Sequence, residues 1–204
     1  MNEKVPLTIG IVSYKRERQL RVLLSSLDAQ NLINFKVILI HDGPREETKE
    51  LIKSFSPRLS FELEFIETPI RFNDYGHSLR QMIIDKCDSE YLLLTNDDNY
   101  YVPIFTEEMV GTLQAEKLDV LICNMVHSHV FPDLPNPFGY QVLEAEPKRR
   151  RIDIGCFVFK TNLGKKAGWQ DKGFEGDATF FEDLSGQYPK VSIGKINKVL
   201  FVHN

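Results

Sequence analysis

The first patterned segment is Leu7-Thr8-Ile9-Gly10-Ile11-Val12, apolar almost without interruption, as a strand covered on both faces requires. Leu20, Leu23, Leu24 and Leu27 then fall at i, i+3, i+4 and i+7, one stripe of an amphipathic helix. A second buried strand, 35–40 (FKVILI), ends in His41-Asp42-Gly43-Pro44, a turn signal. Residues 46–55 predict a charged surface helix with Leu51 and Ile52 inward, and residues 61–66 (FELEFI) alternate as a half-exposed strand does. Leu79, Met82 and Ile83 mark another helix. Tyr91-Leu92-Leu93-Leu94 is a third buried strand, running directly into Thr95-Asn96-Asp97-Asp98-Asn99. This alternation predicts an α/β fold with a mostly parallel, doubly wound sheet and helices on both faces. Ligands of such sheets sit at the carboxyl ends of the strands. Polar residues stand at those ends here: Ser13-Tyr14, His41-Asp42 and Asp97-Asp98.

The second half is less regular. Residues 120–126 predict a strand, 131–140 (FPDLPNPFGY) a proline-broken loop, 152–159 a strand and 161–168 a short helix. A helix over 178–184 would have Asp177 as its N-cap, and 198–202 (KVLFV) predicts a closing strand before His203-Asn204. No repeat or linker divides the 204 residues, so one domain is expected. The composition, 42% hydrophobic and 26% charged, supplies a core and excludes a disordered or coiled-coil chain. A net charge of -4 argues against a general nucleic-acid binder. Cys87, Cys123 and Cys156 are too scattered for a disulfide framework or structural zinc site. No apolar run approaches the roughly 18 residues that span a bilayer, and Met1-Asn2-Glu3-Lys4 has no signal-peptide layout. The expectation is a soluble, cytoplasmic protein.

Asp97-Asp98 is the sharpest local feature. Two carboxylates at the end of a buried strand are costly unless a positive partner joins them, and a divalent cation on a diphosphate is one such partner. Asn-Asp-Asp-Asn is also good turn chemistry by itself. Asp177, within Glu175-Gly176-Asp177-Ala178-Thr179-Phe180-Phe181-Glu182-Asp183, is a candidate base if a cleft holds it and otherwise only a cap. His203 follows an apolar strand and offers an imidazole to a metal. His127 and His129 share one face of a strand, without an evident third ligand. Lys148-Arg149-Arg150-Arg151 is the only basic run, either a solvated loop or one placed to meet phosphates. GxxxxGK[ST], GxGxxG, HExxH and GxSxG are absent.

In order, Ser13-Tyr14, Asp42-Gly43, Asn96-Asp97-Asp98-Asn99 with Tyr101-Val102-Pro103, Asp153-Ile154-Gly155, Ala167-Gly168-Trp169 and Gly176-Asp177-Ala178-Thr179-Phe180-Phe181 resemble the family 2 inverting glycosyltransferases of GT-A fold. They look especially like the bacterial spore-coat polysaccharide type. The resemblance spans nearly the whole chain and is weakest from Met125 to Arg151. It implies a nucleotide-binding half, 1–100, and an acceptor and catalytic half, 101–204. It further implies Ser13 and Tyr14 at the nucleotide base, Asp42 accepting from a ring N–H, Arg71 facing the diphosphate and Asp97 on the ribose or sugar. Asp98 and His203 would ligate Mn2+ or Mg2+, and Asp177 would be the catalytic base. The family pattern usually has Asn where Lys15 stands, Asp-Asp where His41-Asp42 stands, and Glu where Gly176 stands.

The implied reaction is inverting transfer of a sugar from a nucleotide-sugar, with UDP the expected nucleotide and dTDP or GDP left open, to a hydroxyl of a carbohydrate or lipid-linked glycan, in surface polysaccharide synthesis. Neither nucleic acid nor a spanning segment is implied, and peripheral membrane association stays open. Two alternatives are carried. One is a sugar nucleotidyltransferase, which needs a glycine-rich phosphate loop that residues 9–14 do not supply. The other is a domain of the same fold that binds a nucleotide-sugar or a protein without turnover.

Overall fold

The computed structural model describes residues 5–127, 139–186 and 191–204. The amino terminus, His129 and the proline-broken loop at 131–138 lie outside the described residues.

The first half alternates as its hydrophobic pattern predicts. Strand β1 (Leu7–Ser13), helix α1 (Glu17–Asp28), β2 (Phe35–His41), α2 (Glu46–Phe55), β3 (Glu62–Glu67), α3 (His77–Lys86) and β4 (Tyr91–Asn96) follow one another. β1 is buried at every position, which is why it carries no polar alternation. Leu20, Leu23, Leu24 and Leu27 of α1 are all fully buried, each contributing about 1.5–3 kcal/mol of transfer free energy. On α3 the inward residues are Leu79, Ile83 and Ile84, whereas Met82, expected inward, is exposed. The second half adds β5 (Tyr100–Tyr101), α4 (Phe105–Glu116), β6 (Val120–His127), β7 (Gln141–Leu143), β8 (Phe157–Lys160), α5 (Thr161–Ala167), α6 (Gly176–Ser185) and β9 (Ile193–His203). The strand expected from Ile152 begins only at Phe157, after a 3-10 turn, Ile154–Cys156, whose first N–H groups Asp153 caps. The closing strand is longer than its apolar core, because Ile193 to Lys198 are largely solvent-facing.

The described strands form one sheet in the order β3-β2-β1-β4-β8-β6-β9-β5, with β7 beside β6. β3, β2, β1 and β4 are parallel. β8 runs antiparallel to both β4 and β6, and β9 is parallel to β6. The sheet is thus parallel in its first half and mixed in its second. The consequence for function is geometric. The carboxyl ends of β1, β2, β4, β6 and β9 and the amino end of β8 all reach the same edge. Chain order reverses between β1 and β4, the position at which open sheets of this type leave a crevice.

Candidate active site

A cleft of about 540 Å³ opens at that edge, lined among others by Ser13, Tyr14, Asp42, Arg71, Asp97 and Asp177. Six of the eight site residues expected from the sequence therefore share one concavity. Asp98 and His203 lie beside it: the side-chain amide of Asn204, next to His203, donates to the Asp98 carbonyl at 2.9 Å.

Asp97 is the anchor of the floor. Its Oδ2 accepts from the Ser13 hydroxyl at 2.7 Å and from the Tyr14 N–H at 3.1 Å. Burial pushes its carboxyl up to about 6, against the opposing pull of Ser13 and Arg16. Arg16 reaches Asp97 Oδ1 at 3.4 Å and Asp98 Oδ2 at 2.5 Å. The other Asp98 oxygen, Oδ1, is buried without a hydrogen-bond partner. A buried carboxylate oxygen left in this state is costly, and a cation would satisfy it.

Asp42 binds the loop that follows β3. Its two oxygens accept from the Phe72 and Asn73 N–H groups at 2.7 and 3.0 Å. Arg71 lies over the Tyr14 ring, 3.8 Å from the guanidinium carbon to the centroid. The same loop carries Asn73 and Tyr75 at positive φ, 55° and 59°, a strained arrangement for an aromatic residue that recurs at functional sites. Tyr75 and Phe174 meet edge to face at 6.0 Å at the mouth of the cleft, both largely exposed.

Asp177 is not the helix cap expected of it. α6 begins two residues earlier, at Gly176, Glu175 takes the N-cap position, and Asp177 stands in the first turn. Burial raises its carboxyl, opposed by the Arg80 guanidinium and reinforced by Asp153. Gly176 explains the missing Glu of the family pattern. A Cβ there would lie 2.7 Å from the Asp171 carbonyl and 2.8 Å from His77 Nε2, so the helix start seats itself against His77 only as glycine. His77 stacks on Trp169, and Trp169 on Phe180 of α6 (centroids 5.1 and 4.5 Å). The basic run is also accounted for in part: Arg149 turns to α6, pairing with Glu175 at 2.8 Å and Glu182 at 2.7 Å.

Three further groups stand at this edge outside the expected site set, of which only Arg80 drew no attention in the sequence. Arg80, buried at 2% exposure, donates to Asn96 Oδ1 at 2.6 Å and to the Tyr75 carbonyl at 2.8 Å, and its Nε has no partner. Its signal was a lone cation beside Leu79 on the apolar face of α3. Asp153 and His127 join His203 in a cluster whose ligand atoms all lie within 4.8 Å of one another. The two imidazoles are stacked, centroids 4.3 Å apart and 5° from parallel. The third ligand that His127 lacked in the sequence is supplied by strands far away along the chain. His129 is outside the described residues.

Fold and cleft belong to an α/β domain with a ligand crevice at its switch point, and the family model of glycosyl transferase family 2 matches residues 8–162. The chain belongs to that family. Among solved structures it is similar to Staphylococcus aureus TarS 1–349, with a TM-score of 0.76 and 15% identity over 97% of this chain and 60% of that one. It is also similar to the Pyrobaculum calidifontis mannosyltransferase PcManGT crystallised with GDP-Man and Mn2+, with a TM-score of 0.71 and 13% identity over 98% of this chain and 57% of that one. TarS 1–349 has been crystallised with UDP and with UDP-GlcNAc. In sequence the chain is 21% identical over 122 residues to EpsH of Bacillus subtilis (strain 168), whose glycosyltransferase name is provisional; this is 60% of the chain and 34% of EpsH. The chain thus spans about a third of EpsH and 60% of TarS 1–349. Among the described residues no helix is long and apolar enough to cross a membrane.

Proposed function

We propose that this domain transfers a sugar, with inversion, from a UDP-linked donor to an acceptor hydroxyl in bacterial surface polysaccharide synthesis, with Asp177 as general base. The observation that carries this reading is the convergence of Tyr14, Asp42, Arg71, Asp97 and Asp177 on one cleft at the switch point of the sheet. Tyr14 offers a face for the uracil. Asp42 keeps lone pairs for the ring N3–H beyond its two backbone donors. Arg71, already over Tyr14, lines the same cleft and offers its guanidinium to the diphosphate. Asp97, tied to Ser13 and Tyr14, holds the ribose side of the donor. Residues 1–100 thus serve the nucleotide, and 101–204 the base and the acceptor.

Mn2+ or Mg2+ fits the residues at this edge, since Asp98 has an unpartnered buried oxygen and an imidazole stands close by. When bound, such an ion supplies charge neutralisation for the departing diphosphate. Asp98 and His203 are the residues of the expected pair that would hold it. Asp177 takes the proton of the acceptor hydroxyl as that oxygen attacks the anomeric carbon. Its raised affinity for a proton brings it toward the range in which a carboxylate works best as a base. One carboxylate acting from the face opposite the leaving group gives inversion without a covalent intermediate.

The nucleotidyltransferase alternative is disfavoured by the turn after β1. Its N–H groups are engaged inside the protein, Tyr14 N on Asp97 and Lys15 N on His41 Nε2, so they form no phosphate cradle. The discriminating experiment is Asp177→Asn assayed with a panel of nucleotide-sugars. Transfer should fall by about 10²–10⁴-fold while UDP affinity, measured by calorimetry, stays within about twofold of wild type. Full activity would remove Asp177 from the mechanism, and absence of any nucleotide binding would favour a purely protein-binding domain.

A further inference from the structure

The ligand set at the ends of β6 and β9 is not the carboxylate-dominated one that Asp97-Asp98 suggests. His127 and His203 are register partners at the last rungs of two parallel strands, so their side chains point the same way. β8 is inserted antiparallel between β4 and β6, and this brings Asp153, just ahead of it, to the same edge. Asp153 Oδ2 lies 3.5 Å from His203 Nε2, and its Oδ1 accepts the Gly155 N–H at 2.8 Å. That second bond fixes the carboxylate with one oxygen facing the imidazoles, the way ligand carboxylates are commonly oriented. The cluster is sheltered, His127 and His203 being 9% and 8% exposed. Asp98 lies outside this cluster, with its Oδ2 on Arg16.

We propose that His127, Asp153 and His203 form a two-nitrogen, one-oxygen seat for a first-row divalent metal ion, and that this seat makes the domain select Mn2+, Co2+ or Zn2+ over Mg2+. Imidazole nitrogen suits the later first-row ions, whereas Mg2+ is a hard cation that prefers oxygen and water. Three protein ligands leave coordination positions open at the edge where the diphosphate of a donor would arrive. The assignment deepens the transferase reading and rests on it for the purpose of the ion, but not for its binding. His127 is thereby a ligand, although the expected pair was Asp98 with His203.

The test is made on the wild-type chain without nucleotide. Pulsed EPR of the Mn2+-loaded protein should detect two coupled imidazole nitrogens, and calorimetry should find Mg2+ at least about tenfold weaker than Mn2+. One nitrogen or none, or equal affinity for Mg2+, would overturn the seat and return the ion to Asp98. His127→Asn should weaken Mn2+ by about tenfold or more and remove one nitrogen coupling, with an unchanged circular dichroism spectrum. Unchanged Mn2+ affinity in that variant also overturns the proposal. Should the variant fail to fold, the wild-type nitrogen count decides by itself. Metal-free UDP binding is measured separately: if UDP binds and the nitrogen count fails, only the seat is wrong, and if both nitrogens are present but no nucleotide-sugar binds, only the transferase reading is wrong.

Discussion

Lys15 and His41 are two departures from the family pattern, and in the fold they meet. Lys15 adopts a left-handed conformation, φ 54°, in which its N–H donates to His41 Nε2 at 3.2 Å. His41 Nδ1 lies 2.7 Å from the Gly43 carbonyl, so the proton sits on Nδ1 and the ring is satisfied at both ends without charge. The usual Asn at position 15 would take the left-handed conformation more cheaply, because its short polar side chain tolerates it. Lys15→Asn keeps the backbone N–H and should therefore stabilise the domain by about 0.5–1 kcal/mol, read as a higher urea midpoint at constant m-value. Loss of stability would mean that the Lys15 ammonium over the Tyr14 ring, at 5.2 Å, outweighs the backbone strain. A pattern of residue types along the chain marks such a substitution as odd. Only the fold reveals that one oddity answers the other.

Among the elements, the second half of the sheet is held at the end opposite the site by Asp119. Its Oδ2 accepts from the N–H and hydroxyl of Ser192 at 2.9 and 2.8 Å, and its Oδ1 accepts from the Lys160 ammonium at 2.9 Å. The starts of β6 and β9 and the end of β8 are joined through this one carboxylate. Burial pushes the Asp119 carboxyl up, but the Ser192 N–H and hydroxyl and the Lys160 ammonium outweigh it and leave it below its ordinary value. A lowered folded-state value means a contribution present above the unfolded value, near 3.9, and lost as pH falls through the folded one. Asp119→Ala should thus cost about 1.5–3 kcal/mol at neutral pH, and the gap to wild type should narrow below about pH 4, as denaturant titrations across pH would record. A gap independent of pH would assign the loss to packing. The elements bear differently on what was legible. β1, β2 and β4 declare themselves because burial on both faces forces an unbroken apolar run, and with them come Ser13, Tyr14, Asp42 and Asp97 at their carboxyl ends. β9 declares only its apolar end. Its pairing with β6 slips between Cys123 and Met125, which face Ile196 and Phe201, and irregularities of this kind gather near active sites. The meeting of His127 with His203 depends on that slip, and no periodicity encodes it.

At the scale of the whole molecule, acidic residues converge on one edge without forming an isolated acidic patch. Asp97 and Asp98 follow β4, Asp153 stands ahead of β8 and Asp177 lies in α6, and the cations that answer them, Arg16 and Arg80, come from the first half of the chain. Arg80 of the first half faces Asp153 and Asp177 of the second, so the halves do not separate into independent units at residue 100. Strained and under-satisfied groups concentrate at this same edge: Tyr75 and Asn73 at positive φ, and Arg80 Nε and Asp98 Oδ1 without partners. Such groups cost stability in the free protein, and a ligand that satisfies them returns it. Anything that binds only the folded state raises its stability by RT ln(1 + [L]/Kd), about 2.7 kcal/mol at a hundredfold excess over Kd. For a domain of this size each kcal/mol moves the midpoint by about 2–4 °C, so a saturating donor with Mn2+ should raise Tm by about 5–10 °C. UDP-sugars should exceed GDP-sugars in a thermal-shift panel if Tyr14 and Asp42 choose the base, because uracil presents one ring N–H to a carboxylate acceptor whereas guanine presents a wider donor edge. Arg80→Lys should reduce the ligand-induced rise more than it reduces the Tm of the free protein, since an ammonium lacks the planar fork that spans Asn96 and the Tyr75 carbonyl. An equal loss with and without ligand would confine Arg80 to the architecture of the cleft and remove it from donor recognition.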